Sequence, residues 1–163
     1  TPIQLVTAFC SIANGGTLLK PQIVSRITDY SGKRVKKRYK TPERVRRVVS
    51  PEIAREVMSP ILENVVKEGT GEKAMLFTYS VAGKTGTTQK VGNKMKYTNK
   101  YIGSFVGYAP VDEPKVCVLL SLNEPKNGAY YGGTVAAPAV GNIIERTLDY
   151  MEVGPQYIQT AQR

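Results

Sequence analysis

Three β-prone segments follow one another in the second half of this 163-residue chain. They are "VAGKTGTT", "YIGSFVGYAP" and "KVCVLLSLNEP", separated by the polar run "QKVGNKMKYTNK" and by a turn at Asp112 to Pro114. Consecutive segments rich in β-branched and aromatic residues predict a three-stranded antiparallel meander. The unbroken apolar run from Val116 to Leu120 further predicts a strand that is covered on both faces.

A helix is predicted at the start of the sequence. Thr1-Pro2-Ile3-Gln4 has the form of a capping box, with Thr1 as the N-cap and Pro2 at the first helical position. The helix is expected to end at Asn14-Gly15-Gly16, because glycine readily adopts the left-handed C-cap. Apolar residues nearly surround it, which predicts that the helix is buried.

A second helix is predicted to begin at Ser50-Pro51-Glu52. Ser59-Pro60 either bends this helix or starts a new one in the same way, and Glu68 to Gly71 ends it. Its inward-facing stripe is predicted to consist of residues 53, 57, 61, 62, 65 and 66.

The last predicted helix lies in "YYGGTVAAPAVGNIIERTLDYM", after a glycine turn. The apolar face that should lie across the sheet contains Val140, Ile143, Ile144, Thr147, Leu148 and Met151. Helices packed on an antiparallel sheet define an α+β fold. The polar residues 154–163 predict a frayed tail.

Several features predict that residues 1–153 are a portion of a larger domain. A three-stranded sheet is thin for a strand as apolar as Val116 to Leu120, which indicates missing partners. The sequence starts at Thr1 without methionine, and it has no apolar run of the roughly 18 residues that a membrane span needs. We therefore expect any membrane anchor to lie outside these residues.

A basic segment gives the chain most of its net charge of +10. After an extended segment and a turn at Asp29 to Gly32, residues 33–47 contain nine lysines and arginines and a single carboxylate, Glu43. Tyr39 is the only aromatic residue among them. A solvated hairpin is the favoured interpretation. Attraction to an anionic surface or polymer is the alternative, and nucleic-acid binding is the least supported because no recognition motif accompanies the charge.

The chain contains no histidine and two cysteines. The lack of histidine excludes Ser-His-Asp and Cys-His catalysis and the usual zinc and non-haem iron ligand sets. Acid-base chemistry near neutral pH must then come from lysine, tyrosine or a carboxylate. Cys10 and Cys117 lie far apart in sequence without metal-ligand spacing, so two buried reduced thiols are preferred over a disulfide or a metal pair.

The stretch "SVAGKTGTTQ" contains the chain's strongest candidate site. It is not a phosphate-binding loop, because Thr78 occupies the first glycine position and the β-prone "FTYSVA" replaces a flexible loop. On an exposed strand, Lys84 offers a cation, Thr85 and Thr87 offer hydroxyls, and Gly86 lets another backbone approach. An unpaired strand edge can also bind an extended peptide as an added strand. These groups suit a short peptide that ends in a carboxylate.

Five ordered blocks carry a family resemblance: "TPIQLVTAFCSIANGG", "EGTGEKA", "VAGKTGTTQ", "SFVGYAP" and "NEP…YYGGTVAAPAVGNII". Together they resemble the C-terminal part of the transpeptidase domain of class B penicillin-binding proteins, the D,D-transpeptidases that cross-link peptidoglycan. This resemblance covers about residues 1 to 150 and implies a fold of the penicillin-binding-protein and serine β-lactamase type. The family uses three motifs, S-x-x-K, S-x-N and K-T-G, of which only K-T-G is expected to function here.

The other two motifs are missing from these residues. No serine is followed by lysine at the required spacing, and the nearest approach, Ser31-Gly32-Lys33-Arg34, ends in arginine. Ser121-Leu122-Asn123 matches S-x-N by spelling but follows K-T-G instead of preceding it, so we interpret it as coincidence. We therefore expect the nucleophile-bearing remainder of the domain to be a partner, and this chain alone to be inactive.

The resemblance implies a role for each residue of the K-T-G strand. Lys84 would place positive charge beside the catalytic serine and its partner lysine. Thr85 and Thr87 would bind the terminal carboxylate of a D-Ala-D-Ala stem peptide or of a β-lactam, and Gly86 would line the same cleft. The Thr87 N–H would be one of two oxyanion-hole donors. Tyr130 and Tyr131 either wall the acceptor side or only pack as surface aromatics.

The predicted function is therefore a serine-type D,D-transpeptidase that needs no metal or organic cofactor. A hydrolytic outcome, as in carboxypeptidases and β-lactamases, fits the flanking blocks less well. The alternative from another class is a non-catalytic module that holds peptidoglycan or a protein partner. The resemblance also implies an extracytoplasmic location on a membrane anchor, and no nucleic-acid partner is expected.

Overall fold

The computed structural model describes residues 1–92, 95–126 and 128–156. The α-helices of these ranges are Pro2–Ala13 (α1), Ser59–Lys67 (α2), Gly132–Val135 (α3) and Ala137–Tyr150 (α4). The strands are Thr17–Leu19 (β1), Arg26–Thr28 (β2), Val35–Arg38 (β3), Arg44–Arg47 (β4), Ala82–Val91 (β5), Tyr97–Ala109 (β6) and Val116–Asn123 (β7). A π-helical segment, Ile53–Met58, leads into α2, and a 3₁₀ turn, Glu72–Ala74, follows it. Within these ranges, no helix is long and apolar enough to cross a bilayer.

The predicted meander is confirmed: β5, β6 and β7 form an antiparallel sheet in that order. Strand β5 pairs with β6 from Ala82 opposite Tyr108 onwards, and β7 pairs with the other edge of β6. Both α1 and α4 contact β7, so that strand is covered on both faces as predicted. Residues Val116 to Leu120 nevertheless remain half-buried, because β7 is an edge strand of the described sheet.

Side-chain alternation along β6 divides the core into two layers. Phe105 and Ala109 point to one face and pack with buried residues of α4, namely Ala137, Val140, Ile144 and Leu148. Tyr108 points to the other face and packs with Leu62 of α2 and with Phe9 and Ile12 of α1. The sheet therefore lies between α4 and the α1 side, which is the predicted α+β layering.

The start and end of α1 are as predicted, but its burial is not. The capping box is present at Thr1 and Gln4, and Asn14 is the C-cap. Ser11 is the only buried residue of the helix, whereas Ile3 is 51% exposed and Leu5 is 44% exposed. The helix packs on the core through residues of its C-terminal half, so its first turns stay outside the core.

The predicted inner stripe of the second helix is wrong at residues 53, 57 and 61, which are exposed. Leu62 and Val66 are buried as predicted, and Ala54 and Ser59, which were not in the predicted stripe, are buried with them. Pro60 lacks an N–H group and disturbs the preceding turn, and the Ser59 hydroxyl donates to the Ala54 carbonyl at 2.9 Å. The five-residue spacing of this π segment shifts the buried face, and the helix continues through Ser59-Pro60.

The buried face of α4 is also narrower than predicted. Val140, Ile144 and Leu148 are fully buried, but Ile143 is 44% exposed and Met151 lies on the surface. Gly141 takes a place in the stripe because the helix approaches the backbone of Ala74 there. Close packing at a residue without a side chain leaves no apolar signal in the sequence.

The basic segment forms exposed hairpins, as predicted. Strands β2 and β3 form one two-stranded sheet, and β1 and β4 form another. Gly32 makes the predicted turn with φ of 73°. Every residue of β3 and β4 is exposed. Binding of an anionic partner by this segment stays a prediction.

Strand β5 begins at Ala82, so the first five residues of "FTYSVA", Phe77 to Val81, lie before the strand. Tyr79 and Val81 are buried in the core, and the Ser80 N–H and hydroxyl both donate to the Gln156 side-chain oxygen, at 2.8 and 2.7 Å. The Gln156 N–H donates to the Thr78 carbonyl. The first residues of the predicted tail are therefore attached to the domain, and residues 157–163 lie outside the described ranges.

Candidate active site

Strand β5 carries the four residues of the K-T-G-T run. Thr85 lies opposite Phe105 of β6 and Thr87 lies opposite Gly103. Because side chains alternate along a strand, both threonines point to one face of the sheet and Lys84 points to the other. Among the described strands, only β6 pairs with β5, so the second edge of β5 has no strand partner, as predicted.

The two threonines lie at a cavity of about 380 Å³. Three segments form its walls: the loop after α2, strand β5 and the start of α3. The lining residues are Gly69, Thr70, Glu72, Lys73, Thr85, Thr87, Tyr131, Gly132, Gly133 and Thr134. The lining thus contains four threonines, one tyrosine, three glycines and the charged residues Glu72 and Lys73.

Both threonine hydroxyls are oriented by neighbours. The Thr85 hydroxyl oxygen lies 2.7 Å from that of Thr70, and the Gly132 N–H donates to the Thr87 hydroxyl oxygen at 3.2 Å. Thr70 and Thr85 share one hydrogen bond, which uses one of their two hydroxyl protons and leaves the other free to donate. The Thr87 hydroxyl accepts from Gly132, so its own proton is also free to donate. The arrangement can therefore donate two hydrogen bonds to one carboxylate at the cavity.

Lys84 is separated from this cavity. Its ammonium group donates to the Thr85 carbonyl at 3.0 Å, its side chain is exposed, and it does not line the cavity. Strand β5 thus presents a cation on one face and hydroxyls on the other. A ligand that spans the open edge of β5 can contact both.

Two glycines at the start of α3 set its distance from the sheet and from the loop after α2. A Cβ atom on Gly132 would lie 2.0 Å from the Ser104 carbonyl oxygen and 2.5 Å from that of Gly86. A Cβ atom on Gly133 would lie 2.1 Å from the Thr70 carbonyl oxygen. No side chain fits at either position, because the opposing atoms are backbone. The Gly86 carbonyl oxygen faces α3, whereas a Cβ atom on Gly86 itself would lie 2.6 Å from the Ser104 hydroxyl oxygen of β6.

The two tyrosines that precede α3 have different environments. The ring of Tyr130 stacks on Tyr101, with centroids 4.1 Å apart, whereas Tyr131 is 61% exposed and lines the cavity. The Tyr130 hydroxyl donates to that of Tyr131 at 3.3 Å. This hydrogen bond raises the pKa of Tyr130. Tyr130 therefore follows the packing alternative, and Tyr131 forms part of a wall.

A charge cluster fixes the far end of the sheet. Glu124, directly after β7, accepts from Lys90 of β5 and from Lys100 of β6, the latter at 3.0 Å. The hydrogen bond from Lys90, followed by that from Lys100, lowers the pKa of Glu124. The cluster thereby joins all three strands of the sheet that carries the site.

Sequence analysis missed Thr70, Gly132 and Gly133. Thr70 lies in the "EGTG" run and the glycines lie in "YYGG"; both runs belong to blocks of the family resemblance and were interpreted as a helix end and a turn, without a role at the site. Their neighbours at the site are distant in sequence, so no local sequence pattern predicts that these residues belong to the site. A small polar residue between glycines was the one available signal.

The sheet order, the helices on its two faces and the K-T-G-T run on an edge strand define a penicillin-binding-protein transpeptidase fold. The family described as penicillin binding protein transpeptidase domain matches residues 1–145. The chain belongs to this family and corresponds to the C-terminal part of the transpeptidase domain of class B penicillin-binding proteins.

Comparison with individual proteins supports the same family. The chain is 41% identical to stage V sporulation protein D of Bacillus subtilis, over 96% of this chain and 24% of that protein. It is 33% identical to peptidoglycan D,D-transpeptidase FtsI of Escherichia coli K12, over 100% of this chain and 26% of that protein. The chain thus spans about a quarter of the length of these relatives.

Solved structures show the same fold. Penicillin-binding protein 3 of Mycobacterium tuberculosis, complexed with ampicillin, matches with a TM-score of 0.83 and 28% identity, over 98% of this chain and 37% of that chain. The transpeptidase domain of penicillin-binding protein 3 from Burkholderia pseudomallei matches with a TM-score of 0.75 and 35% identity, over 95% of this chain and 44% of that one.

Proposed function

We propose that this chain forms the K-T-G side of the active site of a peptidoglycan D,D-transpeptidase. The observation that carries the proposal is the set of oriented hydroxyls at one cavity: Thr85 with its partner Thr70 has one proton available, and Thr87 has another. Such a pair suits a terminal carboxylate, which accepts several hydrogen bonds. The names of the relatives support peptidoglycan as the substrate.

In the proposed reaction, a serine on the remainder of the domain attacks the carbonyl between the two D-Ala residues of a stem peptide. The terminal D-Ala leaves, and the acyl group passes from serine to the amine of a neighbouring stem. Thr85 and Thr87 hold the carboxylate of the donor in the cavity. The Thr87 N–H is one of two donors that stabilise the oxyanion, and the N–H of the serine is the other.

Lys84 acts on the opposite face of β5 from the carboxylate-binding hydroxyls. Its charge there favours the neutral form of the lysine that accepts the proton from the serine, because like charges repel. Gly86, between the two threonines, lets the peptide backbone approach the strand edge. We place the catalytic roles on Lys84 and Thr87 and the binding roles on Thr85, Gly86 and Thr87.

The partners follow from the same chemistry. A β-lactam presents a carboxylate beside a reactive carbonyl, and solved relatives of this chain were crystallised with ampicillin and with aztreonam. The nucleophile-bearing remainder of the domain is the protein partner. We place residues 1–153 in the domain and the site on the extracytoplasmic side of a bacterial membrane, with the anchor outside this chain.

Mass spectrometry of penicillin adducts tests the proposal. The complete transpeptidase domain should gain one adduct on a serine outside these 163 residues, and the chain alone should gain none. The double variant Thr85→Val, Thr87→Val should acylate more slowly, because it keeps the shape of the site but loses both donors. The control Thr88→Val changes an exposed hydroxyl on the face of Lys84.

Each outcome has a defined meaning. An adduct on the chain alone would refute the division of roles. Equal acylation rates for the double variant and the control would refute carboxylate binding by the two hydroxyls. If the complete domain forms no adduct at all, the non-catalytic module that holds peptidoglycan becomes the better description.

A further inference from the structure

The two cysteines of the chain meet in the fold. Cys10 lies near the C-terminal end of α1 and Cys117 is the second residue of β7, and both line one small cavity between these two elements. Both are half-buried, so the predicted full burial of the two thiols is wrong. Their contact was not visible in the sequence, because it joins the two ends of the domain.

The thiols are accessible from the surface. Both line a shallow cavity of about 170 Å³ between α1 and the start of β7, together with Ala13, Asn14, Pro114, Lys115 and Val116. On the inner side, Cys117 packs against the cluster of Leu62, Ala82 and Tyr108. A small disulfide can therefore reach the pair from the cavity, while the packed core keeps the two sulfur atoms together.

Among the described residues, Cys10 and Cys117 form a pair of thiols and do not belong to a larger cluster of metal-binding side chains. Across residues 1–92, 95–126 and 128–156, no group of three or more histidine, cysteine and acidic side chains converges on one point. The charged group at the same cavity is Lys115, which pairs with Glu113. Tyr108 is the titratable residue opposite Cys117 on β6.

The two sulfur atoms are not equivalent. The hydrogen bond from the Cys117 thiol lowers the pKa of Cys10 to about 7, against the opposing effect of burial. The same hydrogen bond, together with burial, raises the pKa of Cys117. Near neutral pH, Cys10 is therefore the thiol that more readily forms the nucleophilic thiolate, and Cys117 is the one that keeps its proton.

We propose that Cys10 and Cys117 form a thiol–disulfide exchange site, in which Cys10 attacks and Cys117 resolves. The Cys10 thiolate attacks one sulfur of an incoming disulfide, forms a mixed disulfide and releases the first thiolate. Cys117 then loses its proton and attacks the Cys10 sulfur, which releases the second thiolate. The incoming disulfide is reduced to two thiols, and the chain gains a Cys10–Cys117 disulfide that ties α1 to β7.

Oxidised glutathione is a suitable probe for this reaction. The folded 163-residue chain, checked by far-UV circular dichroism, is incubated with it at neutral pH, quenched with an alkylating agent and analysed by mass spectrometry. We expect loss of two hydrogen atoms and a cross-link between the peptides of Cys10 and Cys117. Attack by Cys10 should be roughly tenfold faster than in the urea-unfolded chain, because more of it is thiolate. Dithiothreitol should restore two free thiols.

Two variants separate the roles. Cys117→Ser should stop at a stable glutathione adduct on Cys10, and Cys10→Ser should react much more slowly at Cys117. A stable glutathione adduct on the wild-type chain, or equal rates in the folded and unfolded chain, would overturn the proposal. Both of these measurements use the wild-type protein, so the test stands even if a variant fails to fold.

Discussion

The hydroxyl pair of Thr70 and Thr85 shows how a residue outside the K-T-G run can set the geometry of the site. Thr70 belongs to the loop after α2, yet its oxygen lies 2.7 Å from that of Thr85. A threonine hydroxyl rotates freely unless a partner fixes it. Thr70 therefore acts as a positioning residue that decides which way the Thr85 proton points.

Removal of this partner should weaken ligand capture. Thr70→Val keeps the shape of the side chain but loses the hydrogen bond, and we expect penicillin to acylate the complete domain roughly two- to tenfold more slowly. Thr70→Ser keeps a hydroxyl and should restore most of the rate. The measurement is the second-order acylation rate, with circular dichroism to confirm folding. Equal rates for the valine and serine variants would contradict the positioning role.

Gly132 should tolerate no side chain. In Gly132→Ala the new methyl group meets the carbonyl oxygens of Ser104 and Gly86 at distances that force the backbone apart. Overpacking of this kind costs about 1–3 kcal/mol in the free energy of unfolding. Urea denaturation of the variant measures the loss. Gly154→Ala, where a Cβ atom has no neighbour within 4 Å, is the matched control and should change stability little.

At the scale of single elements, the β2–β3 hairpin contains an unfavourable pair. Arg26 lies directly opposite Arg38, and like charges in opposite positions weaken an antiparallel pair. The hairpin is a two-stranded sheet, an architecture of marginal stability on its own. Its local stability should therefore respond to a single charge.

Reversal of one charge should stabilise this hairpin. Arg38→Glu places opposite charges across the strands, and amide hydrogen exchange within β2 should slow roughly two- to fivefold. The effect should shrink at high salt, because exposed charges are screened. Lys36→Glu makes the same change in net charge at a position without a register partner, so it should slow exchange less. Equal slowing in both variants would show that only net charge matters.

The cluster at Glu124 should make the stability of the three-stranded sheet depend on pH. The two lysines lower the pKa of Glu124 in the folded chain below its ordinary value of 4.5. A carboxylate with a lowered pKa stabilises the fold above its unfolded pKa and loses that effect as pH falls through the folded pKa. The stabilisation should therefore be present at neutral pH and disappear in acid.

Glu124→Gln tests this dependence. We expect the variant to melt below wild type at about pH 7 and the difference to narrow in acid, as the pH falls through the lowered pKa of the folded wild-type carboxylate. Thermal melts followed by circular dichroism measure the difference in melting temperature between the variant and wild type. Glu113→Gln, at a side chain that is 81% exposed, is the surface control. A constant difference between Glu124→Gln and wild type at both pH values would contradict the role of the charge.

At the scale of the whole molecule, α4 and β6 form the core on which the site is built. Ile144 is fully buried there, whereas its neighbour Ile143 is 44% exposed. Ile144→Ala should lower the free energy of unfolding by about 2–5 kcal/mol, because it removes apolar contacts and leaves a cavity. Ile143→Ala should change it by about 0.5 kcal/mol or less. Urea denaturation compares them, and equal losses would refute the assigned face of α4.

The parts of the molecule that sequence predicted are those that local patterns determine. The capping box of α1, the three strands and the turn at Gly32 each depend on neighbouring residues, and all are confirmed. The burial of α1 was wrong, because an apolar pattern does not specify what covers it. The contacts of Thr70 with Thr85, and of Cys10 with Cys117, join distant segments, and no periodicity encodes them.

The glycines at the cavity restrict how this site can change in evolution. Gly132 and Gly133 contact opposing backbone atoms. Even a methyl group at either position would push the backbone segments of the cavity wall apart, so these positions cannot be used to change the shape of the cavity. Variants that discriminate between ligands should therefore arise at lining residues that have side chains, such as Thr70, Tyr131 and Thr134. Under the proposed function, selection for altered β-lactam sensitivity should act on such residues and leave the glycine pair unchanged.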